Sequence, residues 1–272
     1  MTEDRKIIVA DSIERLGAEE YSGYLLHALC IGGHCTFMFN EKEFRMTRGS
    51  YAIIRKTSAV YDVRQSADFR VRVVYVTPDF IELSTPQSNY GMRGQLALYL
   101  NPVMQLDALQ LEKCRQDILN IDYRLADTNN HFYHDLMINA VQTLILDAFD
   151  FHSQLYGEVE VSTQYATIMH RFMNMLERGD YRRHREVSYY ASELCVTPKY
   201  LSEVAKSVSG YGANFWINRY TMLDISRLLR NKNLTFVQIS DMFGFSSPAY
   251  FTRYVQKNLG VNPSEYRGAA QQ

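Results

Sequence analysis

Two stretches near the end of the sequence carry small and polar side chains at the spacing of one helical face. They are Lys199, Ser202, Glu203 and Lys206 in the first stretch, and Ala249, Thr252, Arg253 and Gln256 in the second. Side chains of this kind can read the edges of bases in the major groove of DNA. Lys199 and Lys206 are candidates for guanine edges or phosphates. Arg253 is the strongest candidate, because its fork can pair with guanine; the alternative is a surface cation.

The second stretch is predicted to lie on the second helix of a helix-turn-helix within residues 240–267. Gly244 supplies the turn, since glycine takes positive φ without steric cost. Ser247 caps the next helix, and Pro248 occupies its first position, where no amide hydrogen is needed. An apolar stripe on the other face holds this helix down, and it comprises Phe251, Tyr254, Val255 and Leu259.

The same pattern occurs about fifty residues earlier in the chain. The segment TPKYLSEVAKSVSG at 197–210 aligns without gaps on SPAYFTRYVQKNLG at 247–260. The helix before it aligns at an offset of forty-nine, so a one-residue insertion falls in the turn, where it costs least. Two copies with the same cap, proline and aromatic positions are much more specific than a single helix-turn-helix pattern.

These residues resemble the DNA-binding domain of the AraC/XylS family of bacterial transcription regulators over roughly 182–267. The shared tail is Gly244-Phe245, Tyr250-Phe251, Gly260, Pro263 and Tyr266-Arg267. The resemblance implies two helix-turn-helix units joined by one long helix, and contact of one chain with two successive major grooves. Glu203 departs from the family pattern, which usually has a basic residue there. A carboxylate can accept from a cytosine amino group but repels phosphate.

Two features surround the first copy. The linker helix is predicted at about 213–231, and Trp216, the only tryptophan, is expected in the core between that helix and the first unit. Base stacking is the alternative for Trp216. A basic stretch precedes the first copy, and it is either a non-specific phosphate contact or a solvated hinge. It comprises Arg178, Arg182, Arg183, His184 and Arg185.

The charge of the chain is divided unevenly. Residues 180–272 carry a net charge of +5, whereas residues 1–179 carry −6. A basic binding module attached to an acidic partner domain fits this asymmetry. With 272 residues, the chain is also long enough for two domains.

Short alternating segments at about 20–85 predict a small β-barrel or sandwich. They resemble the cupin-like sensor domain that many family members place first, which implies an effector-binding or association role. At about 102–178 the apolar spacing changes to that of three helices, beginning near Val103, His131 and Thr163, with Leu109 on an apolar face. The resemblance implies that these helices form a dimer interface; covering the barrel is the alternative.

We therefore predict an α+β protein of two domains. Residues 1–178 form a cupin-like β-barrel with packing helices, which serves as the sensor and dimerisation domain. Residues 179–272 form an all-α domain with two helix-turn-helix units.

Histidines and cysteines of the N-terminal half give weak signals for an enzyme. His27 and His34 flank a Gly-Gly turn but lack a third ligand, so structural or surface roles are expected. Cys30 and Cys35 flank the same turn as ordinary strand residues, or alternatively as a redox pair. We predict no cofactor, no metal and no catalytic residue. A cupin-type metal enzyme fused to a DNA-binding tail, or a protein-interaction module, is the alternative.

The sequence predicts a cytoplasmic protein. It contains no apolar run of eighteen residues, and residues 1–20 lack the apolar segment of a secretory signal. The predicted function is sequence-specific transcriptional regulation on double-stranded DNA, by a homodimer that has no membrane partner. A small-molecule effector and RNA polymerase are further candidate partners.

Overall fold

The computed structural model describes residues 6–14, 16, 21, 23–86, 96–157 and 162–269. The stretch that predicts no secretory signal lies partly outside these residues. The chain divides into two compact units, Met1–Glu160 and Val161–Gln272. The sequence places the boundary after residue 178 instead. The difference concerns the helix Thr163–Arg178, which packs within the second unit, where the Phe172 ring lies 5.3 Å from that of Tyr190.

Eight strands of the first unit form two antiparallel sheets in the part of the chain described. They are β1 (Ile7–Ala10), β2 (Leu25–Gly32), β3 (His34–Phe39), β4 (Lys42–Thr47), β5 (Ser50–Ile54), β6 (Val60–Gln65), β7 (Arg70–Val76) and β8 (Val103–Gln105). One sheet has the order β1-β7-β2-β5-β8 and the other the order β4-β3-β6. The α+β prediction is confirmed. The cupin-like barrel takes the form of two sheets that do not close, and β1 precedes the predicted strand region.

The β2–β3 turn at Gly33 brings the two sheets together. Gly33 has a φ of +62°, and a Cβ there would lie 2.6 Å from the backbone of Phe69, so only glycine fits. An apolar cluster then fills the space between the sheets, with Tyr75 from one sheet and Phe37 and Phe39 from the other, each at most 2% exposed.

Three α-helices of the first unit lie wholly within the described residues: α1 (Pro78–Ser84), α2 (Ala108–Ala126) and α3 (Tyr133–Tyr156). The prediction that α2 begins near Val103 is wrong, because that segment is strand β8, where Met104 pairs with Tyr51. The helix begins instead after Asp107, whose carboxylate accepts from the amides of the next turn. The prediction that Leu109 lies on an apolar face is wrong, because Leu109 lies in that first turn and is 68% exposed.

The second unit contains seven α-helices among its described residues. They are α4 (Thr163–Arg178), α5 (Val187–Glu193), α6 (Pro198–Ser209), α7 (Ala213–Arg230), α8 (Phe236–Met242), α9 (Pro248–Leu259) and α10 (Pro263–Ala269). The predicted linker helix is confirmed as α7, whose 18 residues span about 27 Å. Trp216 is fully buried and its indole donates to the Ser209 hydroxyl at 2.7 Å, which confirms the core prediction. Each described helix of the chain is too short or too polar to span a bilayer.

Candidate nucleic-acid interface

Helices α6 and α9 begin with the same local interactions. The Thr197 hydroxyl accepts a hydrogen bond from the Tyr200 amide at 3.1 Å, and the Ser247 hydroxyl accepts one from the Tyr250 amide at 3.2 Å. A proline follows each cap, and both helices are 12 residues long. These caps satisfy amides that a helix start leaves without a partner. The predicted duplication therefore holds at the level of individual hydrogen bonds.

The ends and turns of the two copies also match. Gly210 and Gly260 end α6 and α9 in the left-handed conformation, with φ of +80° and +78°. The turn before α6 takes its left-handed residue from Cys195, at φ +56°, and the turn before α9 takes it from Gly244, at φ +59°. The second copy has one extra turn residue, Ser246. The predicted insertion thus lies just before the cap, outside both helices.

The predicted base-reading side chains lie on the outward faces of the two helices. Those exposed to solvent are Lys199, Glu203, Lys206, Ala249, Arg253 and Gln256, and those half-buried are Ser202 and Thr252. Fully buried residues, including Leu201, Val204, Phe251 and Val255, hold the opposite faces. The structure thus collects the eight residues into two groups, one on each helix. Their contact with DNA stays a prediction.

The two outward faces differ in chemistry at matched positions. Glu203 on α6 stands where α9 has Arg253, so an acceptor replaces a donor fork. The Glu203 carboxylate lies 4.0 Å from the Lys199 ammonium, and this exposed ion pair stabilises little. On α9, the Thr252 hydroxyl donates to the Pro248 carbonyl at 3.0 Å, which leaves its oxygen to act as an acceptor.

Sequence reasoning used Tyr200 and Tyr250 only as alignment markers, but each also supports its helix. The Tyr250 ring is 46% exposed beside the outward face of α9 and lies 5.7 Å from the Phe245 ring. The Tyr200 ring lies 5.9 Å from that of Tyr165 on α4. Their matched position one residue after Lys199 and Ala249 is the signal that could have drawn attention to them.

A buried carboxylate anchors the linker helix. Asp224 on α7 is fully buried and accepts hydrogen bonds from Tyr181 Oη at 3.0 Å, Arg182 Nε at 2.7 Å and Arg227 Nη2 at 2.9 Å. Burial, together with the Asp224 carboxylate, raises the pKa of Tyr181, so this phenol stays a donor. The Arg182 guanidinium is part of this cluster, and its contact with phosphate stays a prediction.

Arg185 is also committed to an internal contact. Its Nη1 donates to the carbonyls of Phe243 at 2.6 Å and of Arg182 at 2.9 Å, and its guanidinium lies 4.2 Å from the centre of the Phe245 ring. The side chains of Arg183 and His184 are exposed. Within the basic stretch, Arg182 and Arg185 therefore make internal contacts, whereas Arg183 and His184 are exposed to solvent.

The histidine and cysteine pairs of the first unit consist of three buried residues and one exposed residue. His27 is buried with Nδ1 2.6 Å from the Tyr51 hydroxyl, and burial lowers its pKa to about 4, while His34 is exposed. Cys30 and Cys35 are buried free thiols, and burial raises the pKa of Cys35 to about 11. Within the described ranges, no three His, Cys, Asp or Glu side chains are grouped so that they could hold a metal ion.

Comparison with known proteins identifies the domain type of the second unit. A family model described as a helix-turn-helix domain matches residues 190–269. The regulatory protein PocR of Salmonella typhimurium is 32% identical over 77 residues, which cover 28% of this chain and 25% of PocR. The HTH-type transcriptional regulator ExsA of Pseudomonas aeruginosa is 27% identical over 128 residues, which cover 46% of this chain and 45% of ExsA.

The chain thus spans less than half the length of these two relatives. A solved structure of ToxT from Vibrio cholerae is similar over 98% of this chain and all of ToxT. Its sequence identity is 14% and the TM-score is 0.45, which is too low to establish a shared fold.

Proposed function

We propose that the chain, whose C-terminal unit matches a helix-turn-helix family model, is a transcriptional regulator of the AraC/XylS type that reads two successive major grooves of double-stranded DNA. One observation carries the proposal: α6 and α9 share caps, turns and buried faces, and both turn their polar faces to solvent. A helix with such a face fits the major groove, and two of them on one rigid linker suit grooves about 34 Å apart.

The outward faces favour two unlike half-sites. The Arg253 guanidinium matches the two acceptors of guanine, and the Gln256 amide matches adenine. The Glu203 carboxylate matches the amino group of cytosine, while Lys206 suits guanine or a phosphate. One chain therefore recognises a site without internal symmetry, with the half-site under α6 differing in sequence from the half-site under α9.

The test is selection of bound duplexes from a random-sequence pool with the full chain, followed by footprinting. The expected result is one asymmetric motif that protects two neighbouring major grooves on the same face of the duplex. Its affinity is expected to fall steeply with salt, because each neutralised phosphate contributes a slope of about −0.9 in log K against log salt. Recovery of random sequences, or protection of a single groove, contradicts the proposal.

The first unit is proposed as the controlling part. This unit, Met1–Glu160 with its cupin-like sheets, is assigned a sensor and dimerisation role, in which a small effector or pairing of two chains changes DNA binding. RNA polymerase is the proposed further partner, and the cytoplasm, where a bacterial chromosome lies, is the proposed location. No enzymatic step is part of this function. Sedimentation of the full chain with and without the selected duplex tests the homodimer, and a monomer in both samples contradicts it.

A further inference from the structure

The segment 179–186 precedes the first helix-turn-helix in sequence but contacts the turn of the second. Phe243 and Phe245 flank Gly244 in that turn, between α8 and α9. Arg185 reaches both, because its Nη1 donates to the Phe243 carbonyl at 2.6 Å and its guanidinium covers the Phe245 ring at 4.2 Å. This contact joins residues 58 positions apart in the sequence.

Phe245 is the ring on which α9 rests. Its centroid lies 5.7 Å from Tyr250, 5.3 Å from Phe251 and 5.2 Å from Tyr254, three residues of the second recognition helix. The ring is 7% exposed. Because aromatic contacts of this kind depend on geometry, a shift of Phe245 displaces the start of α9.

The other end of the contact leads to the linker helix. Arg185 also donates to the Arg182 carbonyl at 2.9 Å, and the Arg182 guanidinium binds the buried Asp224 of α7 at 2.7 Å. A continuous set of hydrogen bonds and ring contacts therefore connects α7 to the turn that carries α9. The Tyr181 ring and the Arg182 guanidinium lie 6.4 Å and 5.9 Å from the Phe243 ring, and Arg185 adds the hydrogen bond from the segment 179–186 to the backbone of this turn.

We propose that Arg185 is a positioning residue for DNA reading: it fixes the second recognition helix relative to the linker helix without touching DNA. This inference rests on the proposed function. Arginine suits the task because its planar guanidinium stacks on a ring while its donors, which lie in the same plane, bind carbonyls. The lysine ammonium is a compact donor that lacks this plane, so it replaces only part of the contact.

The test uses the full chain and two duplexes: the site selected by the wild type, and the same site with the half-site of α9 scrambled. The variants are Arg185→Ala and Arg185→Lys. Arg178→Ala is the matched control, because it removes a positive charge from the same basic stretch, at a residue that pairs with the neighbouring Asp180. Affinity is measured for each protein on both duplexes, and thermal melting is followed through Trp216.

The wild type and Arg178→Ala are expected to lose on the order of a hundredfold in affinity when the second half-site is scrambled, as when about two base contacts are removed. Arg185→Ala is expected to bind the intact site about as weakly as the wild type binds the scrambled site. Scrambling is expected to lower the affinity of Arg185→Ala by less than a further threefold, because α9 in this variant no longer contacts its bases specifically. Arg185→Lys is expected to lie between these limits.

An Arg185→Ala protein that still loses a hundredfold in affinity when the half-site of α9 is scrambled overturns the inference. If Arg185→Ala does not fold, the test is made with Arg185→Lys. Equal losses of affinity on scrambling for Arg185→Lys and the wild type then overturn the inference. Failure of the wild type to select any site is a different result, since it removes the proposed function itself.

Discussion

The two helix-turn-helix units have the same frame but different supports. Helix α6 contacts α4 through the rings of Tyr200 and Tyr165, two residues of the second compact unit. Helix α9 rests on Phe245, whose ring contacts Arg185 from the segment that precedes the first helix-turn-helix. The outward faces differ too, with Glu203 matched to an arginine on α9. The comparison indicates that caps and turns preserve the helix-turn-helix shape, while supports and outward faces diverge.

The largest expected effect contrasts the two base-reading faces. Arg253→Ala is expected to weaken binding to the selected site by ~1–3 kcal/mol and to relax specificity in the half-site of α9, if Arg253 makes the bidentate guanine contact. Glu203→Ala is expected to relax specificity only in the half-site of α6 and to strengthen non-specific binding, because a charge that repels phosphate is removed.

Repeating the selection with each variant measures both effects. Lys257→Ala, which removes another exposed cation from α9, is the control for charge alone. If Arg253→Ala and Lys257→Ala weaken all sequences equally, Arg253 is a surface cation and the contrast between the faces is lost.

The second expected effect concerns the left-handed turn of the second helix-turn-helix. Gly244→Ala is expected to lower the free energy of unfolding by ~1–2 kcal/mol, because a non-glycine residue there adopts left-handed backbone. Its Cβ would also lie 3.0 Å from Arg183 Nη1. Gly260→Ala is the matched control: it has the same sign of φ, but its Cβ meets no atom within 4 Å. Urea unfolding followed by Trp216 fluorescence checks this, and a larger cost at Gly260 contradicts the crowding argument.

The parts of the molecule that the sequence predicted depend on neighbours within one or two helical turns. Caps at Thr197 and Ser247, the turn at Gly244 and the burial of Trp216 all follow from local residue types and helical spacing. The amphipathic spacing also predicted which side chains of α6 and α9 turn outward. It carries no information on whether those side chains touch DNA.

The parts that the sequence missed depend on contacts between distant residues. The bond from Arg182 to Asp224 spans 42 positions, and no spacing rule selects one carboxylate for one arginine in a basic stretch. The strand β8 was predicted as helix because three residues have no distinct periodicity, and its pairing with β5 decides the structure. The same limit explains why α4 was assigned to the first domain, since its amphipathic pattern does not say which unit it packs against.

The third prediction compares how much the N-terminal caps of α6 and α9 contribute to the free energy of unfolding. Thr197→Ala and Ser247→Ala each remove one side-chain cap, and each is expected to cost about 1 kcal/mol. Because the two cap bonds differ by only 0.1 Å in length, the costs are expected to agree within about 0.5 kcal/mol. Unfolding of each variant in urea measures them. A cost confined to one helix means that the matched geometry does not reflect matched stability.

The smallest expected effect concerns the left-handed position of the two turns, where the residue types differ. Cys195 holds the left-handed conformation that Gly244 holds in the second copy, and the offset of forty-nine pairs these residues in the sequence alone. Cys195→Gly relieves the left-handed strain but adds freedom to the unfolded chain, so we expect a net gain of about 0.5 kcal/mol in stability. Cys195→Ala keeps a Cβ and is expected to give no gain. An equal gain from both variants would show that the exposed thiol, rather than the backbone, destabilises this turn.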